Sequence, residues 1–204
     1  MEESPTSRRR DAQRHRAEIL EAALRELAKN PDLTIEEIAR AAGVARRTFY
    51  GHFASRDALL GALLDAVAND VAAIADDIDL EEGDPPATLA RFTLAAWALR
   101  EHYVGLLTVT RHGTAQDALL ERLGQIRSRV AALIERGQQA ERFAADVPAL
   151  ALAYMSEALL SGAIEADNRG ALPEDGGRAV TLATLRALGV PRAQADRIVT
   201  RAMS

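Results

Sequence analysis

The sequence predicts an all-α chain, and three observations carry that reading. Ala and Leu dominate the composition, aromatic residues amount to only 4% and β-branched residues are sparse, and Pro and Gly cluster at a few points between long apolar-periodic segments. With 204 residues and 48% hydrophobic content, the chain can bury a small helical module attached to a larger one. There is no cysteine, which removes disulfides and thiol redox chemistry. The N-terminus is polar and Arg-rich without an apolar core segment, and no uninterrupted apolar run reaches roughly 18 residues. A cytoplasmic location and no membrane partner are the expectation.

Taken in order, residues 1–10 read as a disordered basic arm containing Arg8, Arg9 and Arg10. The Arg8 to Arg16 cluster suits a solubilising tail and a DNA-contacting arm equally. A first helix runs from near Asp11 to Lys29, with Ile19, Leu20, Ala23, Leu24 and Leu27 on one face, until Asn30-Pro31 stops it. Two short helices follow over Ile35 to Ala42 and Ala45 to His52. A fourth spans Arg56 to about Ile78 and gives way to an acidic loop, Asp79 to Asp84. Pro85-Pro86 opens the next helix, to about Leu99. A break near Glu101 or Gly105, a short segment to Thr110 and the connection Arg111-His112-Gly113 lead to a helix from about Ala115 to Arg136, closed by Gly137.

The segment Val147 to Asn168 differs in kind. Ala149-Leu150-Ala151-Leu152-Ala153-Tyr154-Met155 is apolar on every side, so the helix must be buried on every side, and a second copy of the chain is the obvious cover. The helix Gly177 to Leu188 offers Val180, Leu182, Leu185 and Leu188 for the same purpose. Gly189-Val190-Pro191 ends it, and a short amphipathic helix from Arg192 to Arg201 finishes the pattern.

Residues Thr34 to Leu60 carry the chemistry. Thr34 and Glu37 are spaced as a capping box, and Leu33 and Ile38 as a hydrophobic staple. Gly43 can take positive φ at the end of that helix, and Val44 plugs the angle to the next. In that next helix Phe49 and Phe53 stack on one side, while Arg47, Thr48 and Gly51 centre on the other, flanked by Arg46 and Tyr50. An outward Arg can pair with guanine O6 and N7, Thr can reach a base edge or methyl, and a Tyr hydroxyl can hold a phosphate. Ser55 is placed to cap the following helix, with Arg56 in its first turn. The order of cap, turn, apolar plug and outward donors is that of a helix-turn-helix. The DNA-contacting set is therefore Thr34, Ala45, Arg46, Arg47, Thr48, Tyr50, His52 and Arg56.

Charge distribution agrees. Net charge is −5, yet residues 1–56 hold eleven Lys or Arg against nine Asp or Glu, and residues 57–204 fourteen against twenty-one. A basic head on an acidic body fits a DNA binder that does not stick to nucleic acid indiscriminately.

Here the sequence resembles the tetracycline-repressor (TetR) family of bacterial regulators. Ile38-Ala39, Ala42-Gly43-Val44, Thr48-Phe49-Tyr50, His52-Phe53, Ser55-Arg56 and Leu59-Leu60 stand where that family's motif places such residues. The resemblance covers about residues 14–65. Two positions depart: Ala45 replaces the usual Ser or Thr, weakening a cap, and Arg47 replaces a small residue or Pro, adding charge to the DNA face. The resemblance implies an N-terminal three-helix DNA-binding domain over 11–56 and a C-terminal helical effector-binding and dimerisation domain over 57–204. It also implies a homodimer whose late helices pair across a two-fold axis, here Leu152, Leu159, Ala163, Val180, Leu182 and Leu185. The function so implied is a sequence-specific regulator, a repressor released from an inverted-repeat operator by a small molecule. An activator or ligand-blind regulator is the rival within DNA binding, and a helical enzyme or carrier the rival from another class.

Aromatic residues are rare enough for their placement to inform. Phe92, Trp97 and Tyr103 fall in the middle helices and Tyr154 with Met155 in the apolar one. With His102, Leu107, Thr110 and Glu157 they could line a pocket for a largely apolar effector, or serve ordinary packing. Enzyme motifs are missing: His15, His52, His102 and His112 form no i, i+4 pair, no glycine run cradles phosphate, and no G-x-S-x-G elbow occurs. Asp76, Asp77, Asp79, Glu81, Glu82 and Asp84 lack EF-hand order and read as a solvated loop. No metal, cofactor or catalysis is expected.

Overall fold

The computed structural model describes residues 5–27, 29, 30, 32–100, 106, 117, 118 and 121–204. Within them lie nine helices and no strand: α1 Pro5–Leu27, α2 Ile35–Ala41, α3 Arg46–His52, α4 Arg56–Ile78, α5 Pro85–Ala98, α6 Gly124–Gln139, α7 Ala149–Asn168, α8 Gly176–Ala187 and α9 Arg192–Ala202. The chain divides into two compact units, Met1–Val67 with His102–Leu120, and Ala68–Glu101 with Glu121–Ser204.

In the first unit α1 starts at Pro5, earlier than the expected Asp11, so the stretch read as a disordered arm is helical from that point. No Gly or Pro interrupts Thr6 to Leu27, and a proline at the first helical position is pre-set for the helix. Ile19, Ala23, Leu24 and Leu27 of α1 are buried, as are Ile38 and Ala39 of α2, Phe49 of α3, Phe53, and Leu59, Leu60, Leu63 and Leu64 of α4. α1 packs on α2, and α2 on α3. The boundary between the units falls at Val67 inside α4, eleven residues beyond the end of the expected DNA-binding domain at 56. The first turns of α4 place Leu59, Leu60, Leu63 and Leu64 in core, so these turns belong to the first unit and not to a linker. By length and composition α4 and α7 could each cross a membrane. α4 owes that to its leucines and alanines, whose inner members lie in protein core.

The second unit is a layered helical body. α6 packs on α7, and α8 contacts α5, α7 and α9. Its core joins Leu89, Ala90 and Phe92 of α5 to Leu133 and Ile134 of α6, Leu152 and Ala153 of α7, Leu185 of α8 and Ala195 and Val199 of α9. α5 opens with Pro85 and Pro86 as its first residues, after Asp84. α6 starts at Gly124 after Leu123, while the expected start near Ala115 lies outside the described residues.

Gly137 does not close α6, contrary to the sequence reading. The helix continues to Gln139, with Ala140 as its cap, and Glu141 takes the left-handed conformation at φ 55°. Gly137 is needed for a different reason: a Cβ there would collide with the ring of Phe143, which folds back over the helix and is 5% exposed. Around it, Gln138 donates from Nε2 to the carbonyls of Ala144 and Val147, both at 2.8 Å, fastening the loop to the helix end.

Gly137→Ala should cost about 1 to 3 kcal/mol by overpacking, and in a Phe143→Ala background the same change should cost less, a coupling that chemical denaturation of the four proteins reads. In α2, Thr34 Oγ1 accepts the Glu37 backbone N–H at 3.3 Å, and the Thr34 N–H donates to Glu37 Oε2 at 2.8 Å. That backbone donor, helped by the Thr34 hydroxyl, holds the Glu37 carboxyl below its ordinary value of 4.5. A carboxylate with a depressed folded-state pKa stabilises above its unfolded pKa and loses that contribution as pH falls through the folded one. Through the lost cap, Thr34→Ala should cost about 1 kcal/mol at neutral pH, and the gap to the parent protein should narrow in unfolding curves as pH falls through the Glu37 titration.

Candidate nucleic-acid interface

The turn between α2 and α3 is fixed at both ends. After the capping box starts α2, the Gly43 N–H donates to the Arg40 carbonyl at 3.1 Å and the Val44 N–H to the Ala39 carbonyl at 3.0 Å. This is a Schellman arrangement, with Gly43 at φ 68°, where a Cβ-bearing residue would be strained. Val44 then sits half-buried between the helices. Ala45 occupies the N-cap of α3 in extended conformation and makes no side-chain capping bond, as its composition requires.

Rotation of α3 is set from below. Phe49 is fully buried and Phe53 3% exposed, with ring centroids 5.7 Å apart. Arg16 of α1 lies over the Phe53 ring at 5.3 Å. Arg46, Arg47, Tyr50 and Gly51 are consequently exposed, and Thr48 and His52 half-exposed. A Cβ on Gly51 would meet nothing within 4 Å, so the position is open to an approaching backbone. At the start of α4, Ser55 Oγ accepts the Ala58 N–H at 3.1 Å, the cap expected of it. Arg56 follows, half-buried.

The central Arg47 and the flanking Arg46 differ in their partners. Arg46 pairs with Glu36 of α2 at 2.9 Å and lies 5.5 Å from the Tyr50 ring centroid. Its hydrogen bond to Tyr50, then the charge of Glu36, raise its pKa further. Tyr50 in turn stands edge-on to Phe49 at 5.8 Å. Arg47 has no ion-pair partner among the described residues. Arg46 is thus held to the scaffold and Arg47 projects with its fork available. The Glu36 contact joins residues ten apart on different helices, and only the turn geometry brings them together.

The other predicted residues divide. Phe92 belongs to the core of the second unit. Trp97 is 6% exposed and closely packed: a Cβ on Gly176 would lie 2.6 Å from its Cζ2, and one on Gly177 2.7 Å from its Cδ1. Arg100 covers the Trp97 ring at 4.5 Å while its Nε donates to Asp167 Oδ2 at 2.8 Å. Glu157 is not aimed at open space. It receives the Arg127 fork, Nε to Oε2 at 2.7 Å and Nη2 to Oε1 at 3.2 Å, and Arg127 also lies 4.3 Å from the Tyr154 ring. That carboxylate is the main reason the Arg127 pKa rises. His102, Tyr103, Leu107 and Thr110 lie outside the described residues.

Of the six expected interface residues, Leu152, Val180 and Leu185 are buried inside the chain's own body, at 3%, 4% and 0% exposure. Leu152 lies on α7 and Val180 and Leu185 on α8, the helix that packs on α5, α7 and α9. Leu159, Ala163 and Leu182 keep part of their surface. The largest exposed apolar side chains of α7 belong to the segment whose sequence is apolar on every side. Leu150, Tyr154, Met155, Ala158, Ser161 and Gly162 are all exposed, and their spacing puts them on one helix face without a charge.

Residues 19–63 match the family model for bacterial regulatory proteins of the tetR family. The HTH-type transcriptional regulator NfxB of Pseudomonas aeruginosa is 27% identical over 164 residues, covering 76% of this chain and 84% of that protein. Among solved structures, the TetR family protein CprB from S. coelicolor A3(2) superposes with a TM-score of 0.73 at 20% identity, over 95% of this chain and 96% of CprB. LfrR from Mycobacterium smegmatis, solved in complex with proflavine, gives 0.67 at 24% identity, over 87% of this chain and 95% of LfrR. The family match lies on the segment whose cap, Schellman turn and outward Arg-Thr-Tyr face are described above, and that segment is a tetR-type DNA-binding helix-turn-helix.

Proposed function

We propose that this regulator is a homodimeric cytoplasmic repressor, which holds an inverted-repeat operator through paired α3 helices and releases it when a small, largely apolar effector occupies the C-terminal helical domain. The observation that carries the DNA half is the rotation of α3, which buries Phe49 and Phe53 and turns Arg47, Thr48 and Tyr50 outward. Arg47 reads a base, Arg46 and Tyr50 hold the phosphate backbone, and Thr34, Ala45, His52 and Arg56 lie at the edges of the same footprint. Support for the dimer comes from α7, whose uncharged exposed stripe includes Leu150 at 52%, Tyr154 at 51% and Met155 at 49% exposure. A second copy of the same stripe covers it isologously. LfrR's complex with proflavine supports the effector half, since that protein shares this fold. An effector that prefers the dimer geometry with mis-spaced recognition helices weakens DNA binding by the factor by which DNA weakens its own.

Selection from random duplexes should return an inverted repeat. Arg47→Ala should then cost about 1 to 3 kcal/mol and relax one position per half-site, whereas Tyr50→Phe should weaken all sequences alike. An unchanged base preference in the Arg46, Arg47 and Thr48 triple alanine variant would sink the assignment. An activator or ligand-blind regulator would keep the operator under every compound tested.

Light scattering at micromolar concentration should give a dimer burying upward of roughly 2,000 Å². Met155→Glu and Leu159→Glu should yield folded monomers, because their side chains lie at the surface of the single chain. Leu185→Glu should unfold it instead. A folded wild-type monomer at that concentration contradicts the dimer. Trp97, the sole tryptophan, provides the effector readout: an occupant in its unit should alter its fluorescence and, at a hundred times its Kd, stabilise the fold by about 2.7 kcal/mol.

A further inference from the structure

Residues 57–204 hold fourteen basic against twenty-one acidic side chains, and within the second unit arginines commonly find a carboxylate. Arg100 has Asp167, Arg127 has Glu157, Arg129 has Asp76, Arg169 has Glu165 and Arg178 has Asp196. An open cleft between α5 and α9, with a volume of about 550 Å³, reverses that pattern. Arg91 of α5, Arg142 beyond α6, and Arg197 and Arg201 of α9 line it, and Asp84, 3.0 Å from Arg142, is the one carboxylate among its lining residues. Its wall therefore carries a surplus of three positive charges on an acidic body.

The surplus has a local cause. α5 contains no acidic residue, and the single acid of α9, Asp196, is committed to Arg178. Arg197 and Arg201 stand one turn apart, a like-charge spacing that destabilises a helix, and neither has an ion-pair partner among the described residues. Arg91 reaches only as far as Thr88 Oγ1, at 3.4 Å. Ala87, Ile198 and Ala202 add apolar surface to a lining that also includes Thr88 and Gln194. The walls are firm, since α5 and α9 pack through the buried Leu89, Ala195 and Val199.

We propose that this cleft binds a small organic oxyanion, with two or more carboxylate or phosphate groups on a short apolar skeleton. Guanidinium forks match the two-oxygen geometry of both groups, and several converging arginines favour an anion that offers more than one. The volume is that of a small-molecule site, and the mixed arginine and apolar lining suits a compact ligand in preference to an extended polyanion. The site lies wholly within the second unit and does not depend on operator binding.

Isothermal titration of the full chain with citrate and with pyrophosphate, at ionic strength held constant with sodium chloride, tests it. Saturable binding of at least one probe, at one per chain and with Kd below about 1 mM, is expected; citrate alone marks carboxylate recognition and pyrophosphate alone phosphate recognition. The Arg197→Gln, Arg201→Gln double variant should bind about tenfold more weakly or worse, whereas Arg192→Gln, an exposed arginine on the same helix that does not line the cleft, should match the wild type. Arg91→Gln gives an independent reading from α5 should the double variant fail to fold. Heats that track ionic strength alone, or equal affinity in wild type and cleft variants, overturn the proposal. Operator retention, measured separately, is expected to survive these substitutions in the absence of either probe.

Discussion

Burial of Phe49 is the constraint on which the DNA-reading face depends. A seven-residue helix is too short to persist by its own hydrogen bonds, and α3 lacks even a side-chain cap at Ala45. What holds it is tertiary: Phe49 at 0% and Phe53 at 3% exposure fix both its existence and its rotation about its own axis. At 100° per residue, rotation is chemistry. A quarter-turn would exchange an arginine for an aromatic ring at the surface. The well-marked ends of α2 serve the same purpose, since the capping box and the Schellman turn determine where α3 can begin and therefore which residue lies beneath Ile38 and Ala39.

A similar division between holding and reaching runs through the charged residues. Arg46 and Arg127 are both arginines with a tyrosine ring alongside and a carboxylate in hydrogen-bond reach. Their surroundings differ, however. Arg127 has an 8% exposed side chain, so its fork to Glu157 is largely shielded from water. Arg46 is 66% exposed, and its pair with Glu36 is screened by water. The former fastens α6 to α7. The latter orients a side chain that remains able to exchange Glu36 for a phosphate.

Much of this was legible in the residues. Helix α4 falls where its Ser55 cap and its leucine spacing place it, and α2 where Thr34 and Glu37 mark it, because local capping chemistry leaves few alternatives. The illegible parts share a cause, which is dependence on partners remote in sequence. Gly137 reads as a helix terminator until Phe143 is seen to occupy the space of its missing side chain. Trp97 suits a pocket wall and core packing alike in the sequence, which does not announce that Gly176 and Gly177 lie against its ring. Val180 and Leu185 are apolar enough for an interface, and composition cannot say that α8 spends them on its own core.

The apolar helix α7 shows how far such a pattern can be taken. Continuous apolarity demands burial on all sides, and the single chain buries only Leu152, Ala153 and Ile164 among its residues. Demand and supply differ by the stripe from Leu150 to Gly162, which carries no charge to keep it in water. Leu, Tyr and Met side chains left in solvent forgo roughly 25 cal/mol per Å² of apolar surface, a cost that recurs at each of them and that the proposed symmetric contact would remove. The stripe's narrow members, Ala158, Ser161 and Gly162, permit close approach of two helix backbones, while Leu150, Tyr154 and Met155 supply area at its other end. A gradient from large to small along one face favours an antiparallel crossing, in which the large side chains of each copy lie over the small ones of the other.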